Sequence, residues 1–349
     1  MSVLSSRPLA NGGGRALFHK LESQMNEEWR TYLSGEAPHL DVSAVMVTYR
    51  TGVSLRESIP AVLSQSGLTE LIVVDNGNDD DTVGWLDRLA SGDDRVRLIR
   101  PVRNVGFAAG CNRGAAAARG QTLAFVNPDL ILPPDTLLRM GEIMSTHSDA
   151  WLFGGRLLNM DGTEQRGGRR EILSPWRAFV ELSRLDRLFP EHPYFQRLHR
   201  HEDEDVHDVV EVPTVSGAFM MIRKRHYETV NGMDDNMFIH FDDADLCIRI
   251  GHAGGRVMYC GSVPIYHYLS TSDVPRTFVE WHKTRSTSYY FHKHFRASYP
   301  LWALTLTSAL LWLRFALITA KVGVGDLKLL LRGLYSGRRS NPTAPATKK

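Results

Sequence analysis

From Asp41 onward, short β-branched runs alternate with stretches whose apolar residues recur at helical spacing, and this alternation limits the possible folds. The predicted strands are Val42–Thr48, 71–74, Val96–Ile99 and Thr122–Val126. The predicted helices between them are 55–66, 82–90 and 108–119. Apolar runs without strict alternation are typical of parallel strands covered on both faces. The pattern therefore predicts a doubly wound, mostly parallel α/β sheet that binds ligands at the carboxyl ends of its strands.

Other segments flank or interrupt this pattern. Residues 1–40 contain a glycine-rich lead and a helix at 15–33 with one apolar stripe, which we expect to pack on the main domain rather than on a partner or a membrane. Residues 171–209 are rich in charged residues and prolines, and we predict a helical insertion over the ligand site. Strand and helix patterns then return, so the α/β domain is predicted to cover residues 41–295.

The end of the chain carries an apolar segment, residues 301–320, followed by several lysines and arginines. Its length allows a membrane span. Arg314 near its centre and the basic residues beyond it favour a helix lying on an anionic membrane surface. Two alternatives stay open. One is a membrane span, and the other is a buried or oligomerising helix; an oligomerising helix would make the protein a homo-oligomer. We assign 296–335 to such helices and 336–349 to a disordered tail.

Charge and cysteine content exclude several classes of protein. Lysines and arginines number 41 against 39 acidic residues, a net charge of +2, so nucleic acid is not an expected partner. The three cysteines cannot all pair, which argues against a disulfide framework and for a reducing compartment. Residues 1–15 lack the pattern of a secretory signal. We therefore expect a cytoplasmic protein.

Two polar motifs follow predicted strands and suit a nucleotide. Asp75 ends a strand, where a carboxylate accepts hydrogen bonds from a ribose or base, although Asp-Asn-Gly is also an ordinary turn. Glycines punctuate the entry to the helix at 108–119, where free amides attract phosphate. A helix packed tightly on the sheet would use the same small residues, so both interpretations stay open.

A second pair of motifs suits a metal ion and a diphosphate. Asn127 and Asp129 follow a buried strand, and one carboxylate suffices for a divalent cation that keeps its waters and binds a diphosphate. A cap at the strand end is the alternative. His267 ends a later strand and is a candidate to complete the metal site with Asp129. Arg169, in the basic loop 166–170, is a candidate for holding the diphosphate or is simply a surface residue.

The densest acidic cluster opens a predicted helix at Asp242–His252. Asp242, Asp243 and Asp245 lie within four residues and follow an aromatic, apolar segment. Mutual repulsion raises the pKa of at least one carboxyl, whereas the helix dipole lowers the pKa of each. This suits a group that accepts a proton from a substrate hydroxyl. We expect Asp245 to orient the helix rather than to react.

Six motifs follow one another in a fixed order through residues 41–295. They are Val47-Thr48-Tyr49, Val73-Val74-Asp75-Asn76-Gly77, Arg103-Asn104-x-Gly106-Phe-x-x-Gly-x-Asn112-x-Gly, Asn127-Pro128-Asp129, Val215-Ser216-Gly217-Ala218-Phe219-Met220 and Phe238-x-x-Phe-Asp242-Asp243-x-Asp-Leu-Cys. This ordered set resembles the family-2 glycosyltransferases with a GT-A fold, most closely the bacterial rhamnosyltransferase-like branch.

The resemblance implies a metal-dependent, inverting transferase that uses a nucleotide-diphosphate sugar, such as dTDP-rhamnose or a UDP-hexose or UDP-N-acetylhexosamine, with Mg²⁺ or Mn²⁺. By motif position, Thr48, Tyr49 and Asp75 would hold the nucleoside. The donor groove would be lined by Asn104, Gly106 and Asn112. Asp129 stands where the family places its metal-binding acid, whereas Asn127 replaces the first acid of that motif. Asp242 and Asp243 stand at the family's acidic pair, whose second member is the general base.

The acceptor expected from the apolar carboxyl-terminal section is a polyprenyl-diphosphate-linked saccharide of envelope polysaccharide synthesis, reached at the inner face of the cell membrane. Two other functions stay open. A sugar-1-phosphate nucleotidyltransferase shares the nucleotide-binding sheet, but residues 48–51 do not form a convincing phosphate loop. A catalytically silent membrane-associated scaffold would retain the fold without the chemistry.

Overall fold

The computed structural model of the chain describes residues 40–189, 192–195, 198–199, 206–269 and 271–336. The helix predicted at 15–33 lies outside the described residues, as does the tail from 337 onward. The chain divides into two compact units, 1–274 and 275–349. This division comes earlier than the boundary at residue 295 that the sequence suggested, because the helix at 276–294 belongs to the second unit.

The first half of the first unit alternates strands and helices, as predicted. Strands β1 to β4 are Val42–Thr48, Leu68–Asp75, Val96–Ile99 and Thr122–Val126. Helices α1 to α3 are Ser54–Leu63, Asp80–Gly92 and Phe107–Ala117. These strands pair in parallel in the order β3-β2-β1-β4, so their carboxyl ends meet at one edge. The sequence prediction of a doubly wound sheet is confirmed for this half.

The second half extends the sheet with strands of both directions. Its strands are β5 (Leu130–Ile131), β6 (Ala150–Leu158), β7 (Arg169–Arg170), β8 (Val209–Glu211), β9 (Thr214–Val215), β10 (Phe219–Arg223) and β11 (Arg256–His267). Its helices are α4 (Thr136–Thr146), α5 (Pro175–Ser183), α6 (Leu185–Leu188), α7 (Lys224–Thr229) and α8 (Asp242–His252), with a 3-10 turn at Pro193–Phe195. The segment 171–209, predicted as a helical insertion, contains α5, α6 and the 3-10 turn among its described residues.

Strand β10 of this half runs against both of its neighbours, and β5 and β8 run against β11. The sheet continues β4-β10-β6-β11-β5, with β8 on β11, and β10 lies antiparallel between β4 and β6. The amino end of β10 therefore lies beside the carboxyl end of β4, where Phe219 pairs with Val126. β7 and β9 form a separate two-stranded ribbon. The segment that leads into β10 is consequently at the edge where the parallel strands end.

Helix α3 packs closely on β1 because two of its residues have no side chain. A Cβ added to Gly110 would lie 2.8 Å from Val47, and one added to Gly114 would lie 2.2 Å from Val45. Real Cβ contacts do not reach such distances. The glycines of this motif that follow the helix start therefore serve helix-to-sheet packing, which was one of the two interpretations of the sequence.

The second unit contains two helices, α9 (Arg276–His294) and α10 (Leu301–Ser336). They pack through Trp281, whose ring centroid lies 4.8 Å from that of Trp312. Arg314, in the middle of the apolar part of α10, forms an ion pair of 3.0 Å with Glu280. The segment Leu301–Lys321 is long and apolar enough to cross a membrane, and only 6% of its most apolar window is buried.

We expect Gly114→Ala to lower the free energy of unfolding by about 1–3 kcal/mol, because the new methyl group overlaps Val45 and forces α3 away from β1. Gly92→Ala is the matched control, since a Cβ there meets no atom within 4 Å. Urea denaturation of both variants and the parent measures the difference. Equal stability of the two variants would contradict this account of the packing.

Candidate active site

The ends of β1 and β2 form the first part of the site. Thr48 pairs with Asp75 in the sheet, so both predicted nucleoside-binding residues lie at the same edge. Oδ1 of Asp75 accepts hydrogen bonds from the amides of Gly77 and Asn78, both at 3.1 Å, and from Nδ2 of Asn78 at 2.8 Å. This carboxylate is buried and organises its own turn. The turn interpretation therefore holds for Oδ1, whereas Oδ2 faces Nε of Arg100 at 3.5 Å.

Thr48 and Tyr49 occupy different depths at this edge. Thr48 is fully buried, and its hydroxyl donates to Oγ1 of Thr51 at 3.0 Å. Tyr49 is half-buried, and its ring lies over Gly77, where an added Cβ would be 3.5 Å from Cε2. The buried Thr48 thus holds the loop after β1 in place, whereas the ring of Tyr49 is partly exposed.

The loop before α3 is tied to the segment before α8. Asn104 accepts a hydrogen bond from the amide of Gly106 at 2.9 Å, and Asn76 donates to the Gly106 carbonyl at 3.0 Å. The amide of Phe107 donates to the carbonyl of Phe238 at 2.7 Å. Gly106 has φ 88°, and a Cβ there would lie 2.4 Å from the Phe238 carbonyl oxygen. Asn104 and Gly106 therefore shape the backbone at the junction of two motifs.

Asn112 differs from its sequence prediction. Its Oδ1 accepts from the Tyr227 hydroxyl at 2.6 Å and from the Met233 amide at 2.9 Å. Its Nδ2 donates to the Met233 carbonyl at 2.8 Å and to the Asp235 carboxylate. Both ends of the amide are thus used to fix the 227–235 segment on α3. These contacts give Asn112 a role in packing, and its place in a donor groove stays a prediction.

The strand β10 brings the two acidic motifs to one place. The amide of Asn127, after β4, donates to the carbonyl of Ala218 at 2.8 Å. The amide of the preceding residue, Gly217, donates to Oδ2 of Asp243 at 2.9 Å. The segment at 217–218 therefore contacts both the Asn127-Pro128-Asp129 turn and the start of α8. Two motifs that lie more than ninety positions apart in the sequence are thus linked through the main chain of residues 217–218.

Asp129 and His267 form a buried pair at the same edge. Nε2 of His267 lies 3.1 Å from Oδ1 of Asp129, and the Thr271 hydroxyl donates to Oδ2 at 3.3 Å. A carboxylate oxygen and an imidazole nitrogen that face each other suit a divalent cation. Within the described residues no group of three or more His, Cys, Asp or Glu side chains could hold a metal ion. A cation here would take two protein ligands and complete its shell with water or phosphate oxygens.

Asp243 is held at the start of α8 by three donors. Oδ2 accepts from Arg170 at 2.5 Å and from the Gly217 amide, and Oδ1 accepts from its neighbour's amide, Ala244, at 2.7 Å. Burial raises the pKa of this carboxyl, but the charge of Arg170 and the hydrogen bonds outweigh burial and leave the pKa below its usual range. Asp243 is therefore an ionised carboxylate.

Asp242 has the opposite electrostatic state. Burial, followed by the neighbouring charge of Asp243, raises the pKa of Asp242 to about 8. The two carboxyls thus hold one proton between them at neutral pH, mainly on Asp242. His240 and Phe241, just before them, both have φ 66°, a conformation that non-glycine residues rarely adopt. Asp245 accepts from Arg249 one turn further along α8 at 2.7 Å, which fits the orienting role expected for it.

Arg169 does not reach the site predicted for it. Its side chain is 2% exposed, pairs with Glu164 at 2.9 Å and lies over the ring of Tyr259. Successive residues of a strand point to opposite faces. Because β7 includes both arginines, Arg170 faces the acidic pair whereas Arg169 is enclosed on the other side. The assignment of Arg169 to a diphosphate stays a prediction that these contacts do not support.

The family model for glycosyl transferase family 2 matches residues 43–230, more than half of the chain. The chain belongs to this family. The match starts in β1 and ends after α7, so it includes the ends of β1 and β2, the Asn127-Pro128-Asp129 turn and β10. The resemblance recognised from the sequence motifs is confirmed.

Individual relatives are distant. The succinoglycan biosynthesis protein ExoO of Rhizobium meliloti is 32% identical over 156 residues, 42% of this chain and 44% of ExoO. An N-acetylglucosaminyl-diphospho-decaprenol L-rhamnosyltransferase of Mycobacterium tuberculosis is 23% identical over 254 residues, 65% of this chain and 76% of that enzyme. A further relative, from Sinorhizobium fredii, is 29% identical, and the chain spans only 23% of its length.

Among solved structures, that of GalNAc-T7 with UDP, GalNAc and Mn²⁺ matches with a TM-score of 0.53 and 14% identity, over 72% of this chain and 48% of GalNAc-T7. At this identity the similarity concerns the fold alone. Together with the family match and the mostly parallel sheet, it identifies the first unit as a GT-A fold.

Two residues of the site escaped the sequence analysis. Arg170 lies in the basic loop that was noticed, but only the register of β7 distinguishes it from Arg169. Gln165 is buried and bonds His267, at 2.7 Å between Oε1 and Nδ1, and its sequence context carries no motif. Strand alternation was the one available signal for Arg170, and for Gln165 there was none.

We expect Asp242→Asn to stabilise the protein more at pH 8 than at pH 5. Asp242 keeps its proton to about pH 8 when folded but loses it near pH 3.9 when unfolded. The stability that this group contributes is therefore complete below about pH 4 and is lost as the pH rises to about 8. Through this one group the free energy of unfolding changes by at most about 1.4 kcal/mol per pH unit.

Urea denaturation of the parent and Asp242→Asn at both pH values measures this difference, which should grow by about 2 kcal/mol or more. Asp94→Asn, at an exposed position, is the control for losing a carboxylate. A constant difference would mean that Asp242 is already ionised at pH 5.

Proposed function

We propose that the chain is a metal-dependent, inverting glycosyltransferase. It moves a sugar from a nucleotide-diphosphate sugar to a hydroxyl of a lipid-linked saccharide in bacterial envelope polysaccharide synthesis. The observation that carries the proposal is the segment 217–218, whose main chain bonds Asn127, two residues before the Asp129–His267 pair, and also Asp243. Family membership supports glycosyl transfer, and the convergence supplies a cation site and a base at one edge of the sheet.

In the proposed mechanism Asp243 is the general base. As the acceptor oxygen attacks the anomeric carbon, its proton passes to Asp243 and the bond from that carbon to the diphosphate oxygen breaks. Attack from the face opposite the diphosphate inverts the configuration in one displacement. Arg170 and the Gly217 amide hold Asp243 ionised and oriented before the acceptor arrives. Asp242, which is neutral, limits the negative charge of the pair.

Asp129 and His267 would hold the divalent cation, Mg²⁺ or Mn²⁺. Their buried oxygen and nitrogen face each other, and the Thr271 hydroxyl orients the second carboxylate oxygen. A bound cation would neutralise charge that develops on the leaving diphosphate. The Mn²⁺ in the GalNAc-T7 structure agrees with this chemistry. Asn127, two residues before Asp129, is proposed to bind the donor through its neutral amide.

The nucleoside is proposed to lie over the ends of β1 and β2. Tyr49 offers its ring and Asp75 its second carboxylate oxygen, with Thr48 as support beneath the loop. Asn104 and Gly106 form the wall between this pocket and α8 through the bond from Phe107 to Phe238. Asn112 and Arg169 are left out because their polar groups are engaged in packing.

The acceptor class is inferred from two observations. The mycobacterial relative is named as acting on a decaprenyl-diphosphate-linked sugar, and ExoO is named for polysaccharide synthesis. In this chain α10 exposes Leu301, Trp302, Leu306, Leu313 and Leu317. An apolar helix face with tryptophan suits a membrane interface. We therefore place the protein at the cytoplasmic face of the membrane, where a polyprenyl-linked acceptor is presented.

We expect Asp243→Asn to lower kcat by about 100-fold or more and to leave donor affinity nearly unchanged, since the base acts in the transition state. A thermal-shift panel of nucleotide sugars with Mn²⁺ identifies the donor. Transfer to a synthetic polyprenyl-diphosphate-linked sugar is then followed by mass spectrometry.

Asp94→Asn is the control for this experiment and should retain parental kcat. A parental rate in Asp243→Asn at saturating substrates would refute the base assignment. If the protein neither binds nor hydrolyses any nucleotide sugar of the panel, it is instead the catalytically silent scaffold considered from the sequence.

We expect Leu313→Glu to lower binding to vesicles that contain phosphatidylglycerol by about tenfold or more. Leu313 is 56% exposed on α10, and the change removes an apolar contact and adds repulsion from anionic lipid. Val102→Glu, at a fully exposed valine of the first unit, is the matched control. Sedimentation with the vesicles measures the bound fraction, and equal binding of both variants would contradict a membrane role for this face.

A further inference from the structure

A chain of side-chain hydrogen bonds runs from the surface to His267. The Thr163 hydroxyl donates to Oδ1 of Asp161 at 2.6 Å, and Asn159 Nδ2 donates to the Thr163 oxygen at 2.9 Å. Gln165 Nε2 donates to Asn159 Oδ1 at 3.3 Å, and Gln165 Oε1 lies 2.7 Å from Nδ1 of His267. Every link belongs to the turn after β6 except the last, which joins that turn to the end of β11.

The direction of each bond in this chain follows from its first member. The carboxylate of Asp161 only accepts, so Thr163 must donate to it and accept from the Asn159 NH₂ group. This leaves Oδ1 of Asn159 to accept from the Gln165 NH₂ group. The Gln165 oxygen is then the atom that faces His267.

A second contact fixes Gln165 in the same orientation. Its Nε2 also donates to the main-chain carbonyl of His267 at 3.4 Å, and a carbonyl oxygen has no proton to give. A reversed amide would set two acceptors against each other at this contact. Oε1 of Gln165 is therefore an acceptor toward Nδ1, and Nδ1 of His267 carries a proton.

This proton on Nδ1 decides what Nε2 offers to Asp129. A histidine that binds a metal ion is neutral, and with the proton on Nδ1 its Nε2 presents the lone pair. That lone pair faces Oδ1 of Asp129 at 3.1 Å, while Thr271 bonds the other carboxylate oxygen. A divalent cation would be bound by both of these acceptor atoms. Histidines that bind a metal ion through one ring nitrogen usually donate the other N–H to an oxygen acceptor, as Nδ1 of His267 does to Gln165.

We propose that Gln165 is a positioning residue that fixes the tautomer of His267, so that Nε2 and Asp129 together face a divalent cation. The inference rests on the proposed metal site and extends it to a residue outside the six sequence motifs. Gln165 is 3% exposed and does not touch the cation or the substrate itself. Its effect on the tautomer is transmitted through the hydrogen bond from Nδ1 to Oε1.

The test compares Gln165→Met with the parent in binding of Mn²⁺ alone, measured from the free-ion signal in electron paramagnetic resonance. Methionine keeps the approximate volume and removes the acceptor, and loss of such a partner weakens metal affinity by about tenfold or more. Gln121→Met, at an exposed glutamine next to β4, is the matched control and should bind as the parent does. Parental affinity in folded Gln165→Met would overturn the inference.

A spectroscopic readout separates positioning from a general structural effect. In ¹⁵N spectra of histidine-labelled protein, with the His267 resonances assigned from a His267→Gln variant, the parent should show a protonated Nδ1. Gln165→Met should show a mixture of tautomers. Gln165→Glu restores an acceptor and should restore the protonated Nδ1 even if Gln165→Met fails to fold. An unprotonated Nδ1 in the parent or in folded Gln165→Glu would refute the proposal.

If the proposed metal site is itself wrong, the measurement of Mn²⁺ binding gives a different result. Asp129→Asn should abolish Mn²⁺ binding if the proposed function is right. If Asp129→Asn binds Mn²⁺ as the parent does, the metal assignment is wrong. The ¹⁵N spectra then still decide whether Gln165 sets the tautomer.

Discussion

The antiparallel pairing of β10 with β4 is the interaction on which the whole site depends. It places the segment at 217–218 beside the end of a parallel strand, where Ala218 bonds Asn127 and Gly217 bonds Asp243. A sheet of parallel strands alone would collect only the residues that follow its own strands. The reversed strand adds the start of α8 to that edge, so Asp243, the proposed base, joins the residues proposed to bind the nucleotide and the cation.

Two similar carboxyl groups in the site, those of Asp242 and Asp243, have different electrostatic partners. Asp242 and Asp243 are adjacent and both buried, yet only Asp243 has a cation, Arg170, and two amides. Removing one partner of a buried ion pair typically costs about 3–5 kcal/mol. The protein therefore separates the two carboxyls into one that is ionised and one that keeps its proton. This division meets the needs of a base without placing two full charges side by side.

The sequence predicted what depends on local pattern and missed what depends on register or on distant partners. The bounds of β3, β4 and α8 agree with the strand and helix patterns, because apolar periodicity and the acidic helix start are local signals. Arg169 and Arg170 are indistinguishable in sequence, and only pairing with β9 decides which one faces Asp243. Asn112 illustrates the other limit, since its partners lie more than a hundred residues away.

The contact between Gly106 and Phe238 couples two motifs that are far apart in the chain. The carbonyl of Phe238 occupies the space of any side chain at 106, and it also accepts the amide of Phe107. A change of residue at 106 therefore displaces the segment that leads into the acidic helix. In evolutionary terms we expect the two positions to be constrained together, because a side chain at 106 requires a different path for the loop at 238.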